Sequence, residues 1–144
     1  MDASLIGSTT KVQSICISPQ EIKEYAEAIF IHNGIYIGQN TAIEEGYEDI
    51  PIPPTMPIVF WKSIHIPWLS TLDGLVHTNQ SFHYDQSLLA NRTYECVVEL
   101  TNVVEKRRHN KRMTFFEHRL LIYFQGELHG TAFTTLMAME EGVT

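Results

Sequence analysis

The sequence is poor in cysteine, in basic residues and in long apolar stretches, and each shortage excludes a class of protein. Two cysteines, Cys16 and Cys96, are too few for a disulfide-rich secreted domain, and we expect both to be reduced residues of the core. Ten Lys and Arg residues against seventeen Asp and Glu give a net charge of −7, which argues against a nucleic-acid-binding protein because that function needs a basic surface. No apolar run approaches the length of a membrane span.

The length of 144 residues suffices for one domain with a single core and is too short for two. We therefore predict one domain over residues 1–144, with a flexible start over residues 1–10. These first ten residues lack the basic start and the apolar centre of a secretory signal, which predicts a cytoplasmic protein.

A helix start is encoded at residues 18–21, with Ser18 as N-cap, Pro19 at the first helical position and Glu21 placed to complete a capping box. Asn33-Gly34 supplies a stop signal, so we predict a helix of about sixteen residues. Its predicted buried face follows the three-and-four spacing of an amphipathic helix and consists of Ile22, Tyr25, Ala26 and Ile29.

The rest of the chain changes from irregular structure to strands. Residues 37–57 are predicted to form a crossing segment with one helical turn near 41–45. Four prolines between residues 51 and 57 forbid regular structure in its second half. Residues 58–70 are predicted to form a short helix that is interrupted at Pro67. Four antiparallel strands rich in β-branched and aromatic residues are predicted at 75–84, 93–105, 113–125 and 127–139. Strands of this length can curl around the helix, which predicts an α+β fold with a long central helix wrapped by a curved antiparallel sheet.

Short motifs between about residues 15 and 137 occur in the order and spacing of a known family. The motifs that carry this resemblance are Ser18-Pro19, Gly46-Tyr47, Pro53-Pro54-Thr55, Gly126-Glu127-Leu128 and the strand residues His77, Gln80, Phe82, Tyr84 and Leu88. On them the chain resembles the MaoC-like dehydratases, and above all their amino-terminal FAS1-like dehydratase domain. The resemblance implies a single hot-dog fold and a relation to (R)-specific enoyl-thioester hydratases and 3-hydroxyacyl-thioester dehydratases. One turn departs from the family pattern, where its His-Arg-Pro-Leu is replaced by residues 85–88.

The end of the central helix differs from the catalytic members of that family. They carry an Asp, then an Asn-Pro pair, then a His five residues after the Asp. Laid on that pattern, Asn33 keeps the Asn, Gly34 replaces the Pro, Ile31 stands at the Asp position and Tyr36 at the His position. Ile31 exchanges no proton and an unperturbed tyrosine titrates near 10. The resemblance therefore implies that this chain has no catalytic residue of its own and is the substrate-binding subunit of a lyase complex, inactive alone.

The resemblance also implies a ligand and a partner. The candidate substrate-binding residues, at an acyl channel or its rim, are Asn33, Tyr36, Pro54 and His77. The ligand is an acyl-CoA or acyl-carrier-protein thioester, and the partner is a catalytic MaoC-like hot-dog subunit or a second copy of this chain. No nucleic acid, membrane, metal or cofactor is expected. The basic run 106–112 holds five of the ten Lys and Arg residues, and we interpret it as a solvated hairpin tip; the alternative is a contact for coenzyme A phosphates or an acidic carrier protein.

The remaining histidines give no convincing metal site. His77 and His83 are six residues apart on one predicted strand and should share a sheet face, but no third ligand has a suitable spacing. His118 and His129 are expected on strand surfaces.

Two alternative functions remain open from the sequence. One is a stand-alone acyl-CoA-binding homodimer that performs no reaction. The other is a hot-dog thioesterase, which needs a carboxylate on the central helix facing the pocket; Glu24 and Glu27 are expected to face solvent, so this alternative ranks last.

Overall fold

The structure is a computed structural model in which residues 3–142 are described. Two α-helices and five strands follow in chain order: β1 Gln13–Cys16, α1 Pro19–Ala28, α2 Gln39–Glu44, β2 Val76–Tyr84, β3 Thr93–Arg108, β4 Lys111–Phe124 and β5 Glu127–Glu141. Short 3-10 helices lie between them at Ala3–Leu5, Gly34–Tyr36, Met56–Ser63 and Pro67–Leu69.

The five strands form one sheet in the order β1-β3-β4-β5-β2, and every neighbouring pair is antiparallel. The four long strands predicted from the sequence are confirmed. β3 and β4 extend further than predicted, into the basic run, because the tight turn at His109-Asn110 takes positive φ at both residues (49° and 67°) and lets the ladder continue to Arg108 and Lys111. The four-residue β1 was not predicted, since so short a segment carries no clear alternation.

The core lies on one face of the sheet. Alternate residues of the long strands are buried there: Cys96, Val98 and Leu100 of β3, Leu120 and Ile122 of β4, and Ala132 of β5. They form one cluster with Ile22 of α1 and with Met56 and Phe60 of the 3-10 helix Met56–Ser63. Each fully buried aliphatic side chain of this size stabilises the fold by about 1.5–3 kcal/mol.

Helix α1 begins where the sequence predicts and ends earlier. The Glu21 amide donates to Ser18 Oγ at 3.1 Å and the Ser18 amide to Glu21 Oε1 at 3.2 Å, which completes the capping box. The helix ends at Ala28 after ten residues, not at Asn33-Gly34, because Phe30 adopts a left-handed conformation with φ of 61°. Ile29, expected on the buried face, is consequently 40% exposed.

The amino-terminal segment, for which the sequence predicts flexibility, contacts β3. The Gly7 amide donates to the Leu100 carbonyl at 2.8 Å, and the Thr10 amide donates to the Val98 carbonyl at 2.9 Å. Residues 1 and 2 lie outside the described residues. The nearby Cys16, at the end of β1, is exposed and corrects the expectation that both cysteines belong to the core; Cys96 is buried as predicted.

Three expectations about the histidines are wrong. His118 and His129 are 2% and 3% exposed instead of lying on strand surfaces, because His118 is on the inner face of β4 and His129 sits at a bulge between β4 and β5. His77 and His83 do not share a sheet face. A register shift after His77 makes it pair with Leu136, whereas His83 pairs with Thr131, and partners five residues apart face opposite sides of a regular strand.

Candidate functional site

A small cavity lies between the crossing segment and the end of β2. This tyrosine cavity has a volume of about 110 Å³, and its lining residues are Tyr36, Tyr47, Pro51, Ile52, Pro54, Tyr84, Ser87 and Leu88. Two of the four predicted substrate-binding residues, Tyr36 and Pro54, therefore meet here although eighteen positions separate them in the chain (54 − 36 = 18).

Local hydrogen bonds hold the walls of the tyrosine cavity. Asn33 Oδ1 accepts from the Ile35 amide at 3.1 Å and so starts the 3-10 helix that carries Tyr36. On the opposite wall the Tyr84 hydroxyl donates to the Pro54 carbonyl, which ties β2 to the crossing segment. Gly130 of β5 lies against the Tyr84 ring, because a Cβ at position 130 would stand 2.9 Å from Tyr84 Cδ1. Its lack of a side chain leaves room for the ring.

The other two predicted residues are not brought into this cavity. Asn33 is exposed and lines a neighbouring cavity of about 370 Å³, which shares only Tyr47 with the tyrosine cavity. His77 is exposed and lies near the start of β2, roughly 23 Å along the strand from Tyr84 at about 3.3 Å per residue. Its Nε2 lies 3.1 Å from the Asn79 carbonyl oxygen, and its role at an acyl channel or its rim stays a prediction.

The hydroxyls of Tyr36 and Tyr84 are held in their protonated form. Burial raises the pKa of Tyr36, and the nearby Tyr47 raises it further. Burial likewise raises the pKa of Tyr84, with a smaller contribution from Tyr25. Among the described residues that line the tyrosine cavity there is no carboxylate, imidazole or amine. This wall can donate hydrogen bonds to a carbonyl oxygen, but its phenols do not accept a proton near neutral pH.

The lining residues that sequence reasoning did not select as site residues are chiefly Tyr47, Tyr84 and Ser87. Tyr47 and Tyr84 both belong to motifs that carry the family resemblance, so a signal for them was present in the sequence. Ser87 lies in the turn that departs from the family pattern, and nothing in the sequence marked it.

A larger open groove of about 430 Å³ lies beside α1, and its polar lining residues include Glu21, Glu24 and Lys62. Glu24 and Glu27 are exposed, as the sequence predicts. Within residues 3–142 no three His, Cys, Asp or Glu side chains come close enough together to hold a metal ion. No helix in this described part of the chain is long and apolar enough to cross a membrane.

The basic run forms a hairpin tip, as predicted, and most of its charge is compensated nearby. Lys106 lies over the Phe115 ring, 5.3 Å from its centroid. Three further cations form ion pairs with carboxylates, namely Arg107 with Glu105, Lys111 with Glu141 and Arg112 with Glu140. These pairs reduce the charge available to an anionic ligand.

Comparison with known proteins identifies the family. The family described as "FAS1-like, dehydratase domain region" matches residues 4–128. The chain belongs to this family. A "UPF0336 protein" of Thermobifida fusca (strain YX) is 33% identical over 89 residues. The match covers 58% of this chain and 59% of that protein, so the chain spans less than two thirds of the length of this relative. "UPF0336 protein Lxx02810" of Leifsonia xyli subsp. xyli (strain CTCB07) is 27% identical over 127 residues, covering 84% of this chain and 83% of that protein.

Solved structures of low sequence identity show that this FAS1-like dehydratase chain has the hot-dog fold. A C-terminally truncated HadBC (3R-hydroxyacyl-ACP dehydratase) complex from Mycobacterium tuberculosis superposes with a TM-score of 0.82 at 21% identity, covering 96% of this chain and 98% of that chain. The ChsH1-ChsH2 complex from the same organism superposes with a TM-score of 0.76 at 20% identity, covering 95% of this chain and 87% of that chain. The (R)-hydratase from A. caviae superposes with a TM-score of 0.65 at 15% identity, covering 91% of this chain and 94% of that chain.

Proposed function

We propose that this chain is the substrate-binding, non-catalytic subunit of a two-part enoyl-thioester hydratase or 3-hydroxyacyl-thioester dehydratase. The observation that carries the proposal is the lining of the tyrosine cavity. Tyr36, at the position where catalytic members of the family have a histidine, lies there among other phenols and apolar side chains, with no proton acceptor among the described lining residues.

The chemistry divides between two subunits in this proposal. Hydration of an enoyl thioester needs a base that activates water, an acid that protonates the α-carbon, and donors that stabilise the enolate oxygen. Burial raises the pKa of Tyr36, so its hydroxyl stays protonated, and Ile31 has no ionisable group. The hydroxyls of Tyr36 and Tyr47 can hold the thioester carbonyl, while the acid and the base come from the partner.

The open edge of the sheet supports a second subunit. Among the described residues 3–142, β2 pairs only with β5 and ends the sheet, and most residues of β2 are exposed. Such an edge is a ready site for pairing with a strand of another chain. The tyrosine cavity of about 110 Å³ is also well below the roughly 300–1,000 Å³ of typical ligand sites, which favours a pocket completed by a neighbour beside β2. The similarity to HadBC and ChsH1-ChsH2, both named as complexes, agrees with a hot-dog partner.

The decisive experiment is hydration of crotonyl-CoA by the purified chain, alone and mixed with a MaoC-like subunit encoded beside it. We expect activity only in the mixture. In that mixture a Tyr36→Phe variant should raise KM about tenfold, as loss of a substrate hydrogen bond would, while the complex still forms. Tyr123→Phe, at a half-buried strand position outside the tyrosine cavity, is the matched control.

Three results would contradict the proposal. Hydration by the chain alone would mean that it holds an acid–base pair of its own. Stabilisation by acyl-CoA without activity in any mixture would favour the stand-alone acyl-CoA-binding homodimer, which a mass measurement in solution would identify. Hydrolysis of acyl-CoA would favour the thioesterase.

A further inference from the structure

A second cavity adjoins the tyrosine cavity and carries charged groups. This arginine cavity has a volume of about 330 Å³, and its polar lining residues are Tyr47, Glu48, Gln86, Ser87 and Arg92. Tyr47 and Ser87 line both cavities, so the two are contiguous. A ligand that extends through both would have one end among phenols and the other beside a guanidinium.

The Arg92 side chain is held in place from one side. Its Cζ lies over the Phe124 ring, 4.8 Å from the ring centroid, which is within cation–π distance. The side chain is only 25% exposed. A guanidinium can form paired hydrogen bonds with phosphate and carboxylate oxygens through its N–H edge.

The counter-ion of Arg92 is easily displaced. Arg92 Nη2 donates to Glu48 Oε2, and the Glu48 side chain is 80% exposed. An ion pair with so exposed a carboxylate contributes little to stability and is screened by salt. The neighbouring Asp49 makes other contacts, because its oxygens accept from Asn91 Nδ2 at 3.2 Å and from the Ile50 amide at 2.7 Å. The oxygens of an anionic phosphate can therefore replace Glu48 on Arg92.

We propose that Arg92 binds the phosphate of a phosphopantetheine arm, the group that coenzyme A and acyl carrier proteins share, and that Glu48 is the counter-ion this phosphate displaces. The proposal rests on the proposed function, because it takes a thioester as the ligand. The thioester end lies in the tyrosine cavity, and Tyr47 and Ser87 border the path between the two ends.

The test compares two probes that differ by one phosphate, butyryl-pantetheine and butyryl-4′-phosphopantetheine. Dissociation constants are measured by calorimetry with the full chain, alone and in the mixture with its MaoC-like partner. We expect the phosphate to tighten binding about tenfold, as one charge-assisted contact would, and Arg92→Gln to abolish this gain. Glu48→Gln should increase the gain in affinity that the phosphate gives, because the competing carboxylate is removed. If the Arg92–Glu48 pair were only structural, Glu48→Gln would give no such increase. Arg119→Gln removes the same charge from the Arg119–Glu99 pair elsewhere on the sheet and is the matched control.

The outcomes separate the two proposals. Equal affinity for both probes, a phosphate gain that survives Arg92→Gln, or a gain that Glu48→Gln fails to raise would overturn the phosphate site and leave the proposed function intact. Failure of the chain and the mixture to bind either probe would overturn both. Butyryl-CoA and a butyrylated carrier protein then identify the source of the phosphate: the carrier for which Arg92→Gln weakens binding is the one recognised, and no weakening for either would count against the site.

Discussion

The buried His118 should make the stability of this protein fall in mildly acidic solution. Trp68 Nε1 donates to His118 Nε2 at 2.9 Å, so the proton of the neutral imidazole is on Nδ1, which lies 3.3 Å from the Thr134 carbonyl oxygen and donates to it. Trp61 packs edge-on against the imidazole with ring centroids 5.1 Å apart. Protonation at Nε2 would remove the hydrogen bond from Trp68 and place a charge in the core.

The size of the effect follows from the pKa of His118. Burial lowers this pKa from 6.5 to about 4, while the carbonyl contacts oppose the shift. The stabilisation is fully present above pH 6.5, because both the folded and the unfolded chain are then neutral at this residue. It is lost as the pH falls toward 4, because the unfolded chain takes up the proton first. At 1.36 kcal/mol per pKa unit the whole loss is about 3 kcal/mol, of which about 2 kcal/mol falls between pH 7 and pH 5.

The assay is urea denaturation at pH 7 and pH 5, at one protein concentration, for the parent and for His118→Gln. Glutamine offers an acceptor for Trp68 and a donor for Thr134 but does not titrate, so the variant should lose about 2 kcal/mol less than the parent between the two pH values. His65→Gln replaces an exposed histidine and should keep the parent's pH dependence. Equal pH dependence in the parent and His118→Gln would refute the reasoning.

Two further predictions concern packing and thiol chemistry. Gly130→Ala should lower the free energy of unfolding by about 1–3 kcal/mol in urea denaturation, because the new Cβ would stand 2.9 Å from the Tyr84 ring. Gly38→Ala is the control. Its new Cβ would lie 3.7 Å from the nearest atom outside the adjacent residues, so it should lower the free energy of unfolding by less. Native protein should expose one thiol to an aromatic disulfide reagent and unfolded protein two, because Cys16 is exposed while burial raises the pKa of the Cys96 thiol to about 12. Two reactive thiols in the native state would contradict the second prediction.

Features fixed by neighbouring residues could be predicted from the sequence. The capping box at Ser18 depends on four adjacent residues. The end of β2 at Tyr84 and, to within one residue, the end of β4 at Phe124 follow from alternation and from turn residues such as Gln125-Gly126, where both φ values are positive. The end of α1 was harder to predict. The run Ile29-Phe30-Ile31 has weak helix propensity, but a stronger stop signal at Asn33-Gly34 drew the predicted end five residues too far along the chain (33 − 28 = 5).

Features that depend on register could not be predicted. Leu120 and Leu121 are both apolar, so alternation alone does not decide which face of β4 is buried or that His118 shares it with Leu120. The bulge after His77 also has no signal in the sequence. Because of this bulge, His77 and His83 lie on opposite faces of the sheet. A shift of one residue is enough to move a histidine between solvent and core.

The candidate site shows why family resemblance placed some of its residues and missed others. Tyr36 lies in the 3-10 helix that Asn33 caps, and the carbonyl of Pro54 accepts a hydrogen bond from the hydroxyl of Tyr84. Tyr36 and Pro54 therefore meet only when the crossing segment is folded. None of the residues lining the tyrosine cavity need be an acid or a base for the sheet and its core to form. The fold therefore forms without an acid or a base in this cavity, and the crotonyl-CoA mixing experiment tests the proposal that another subunit carries out the proton transfers.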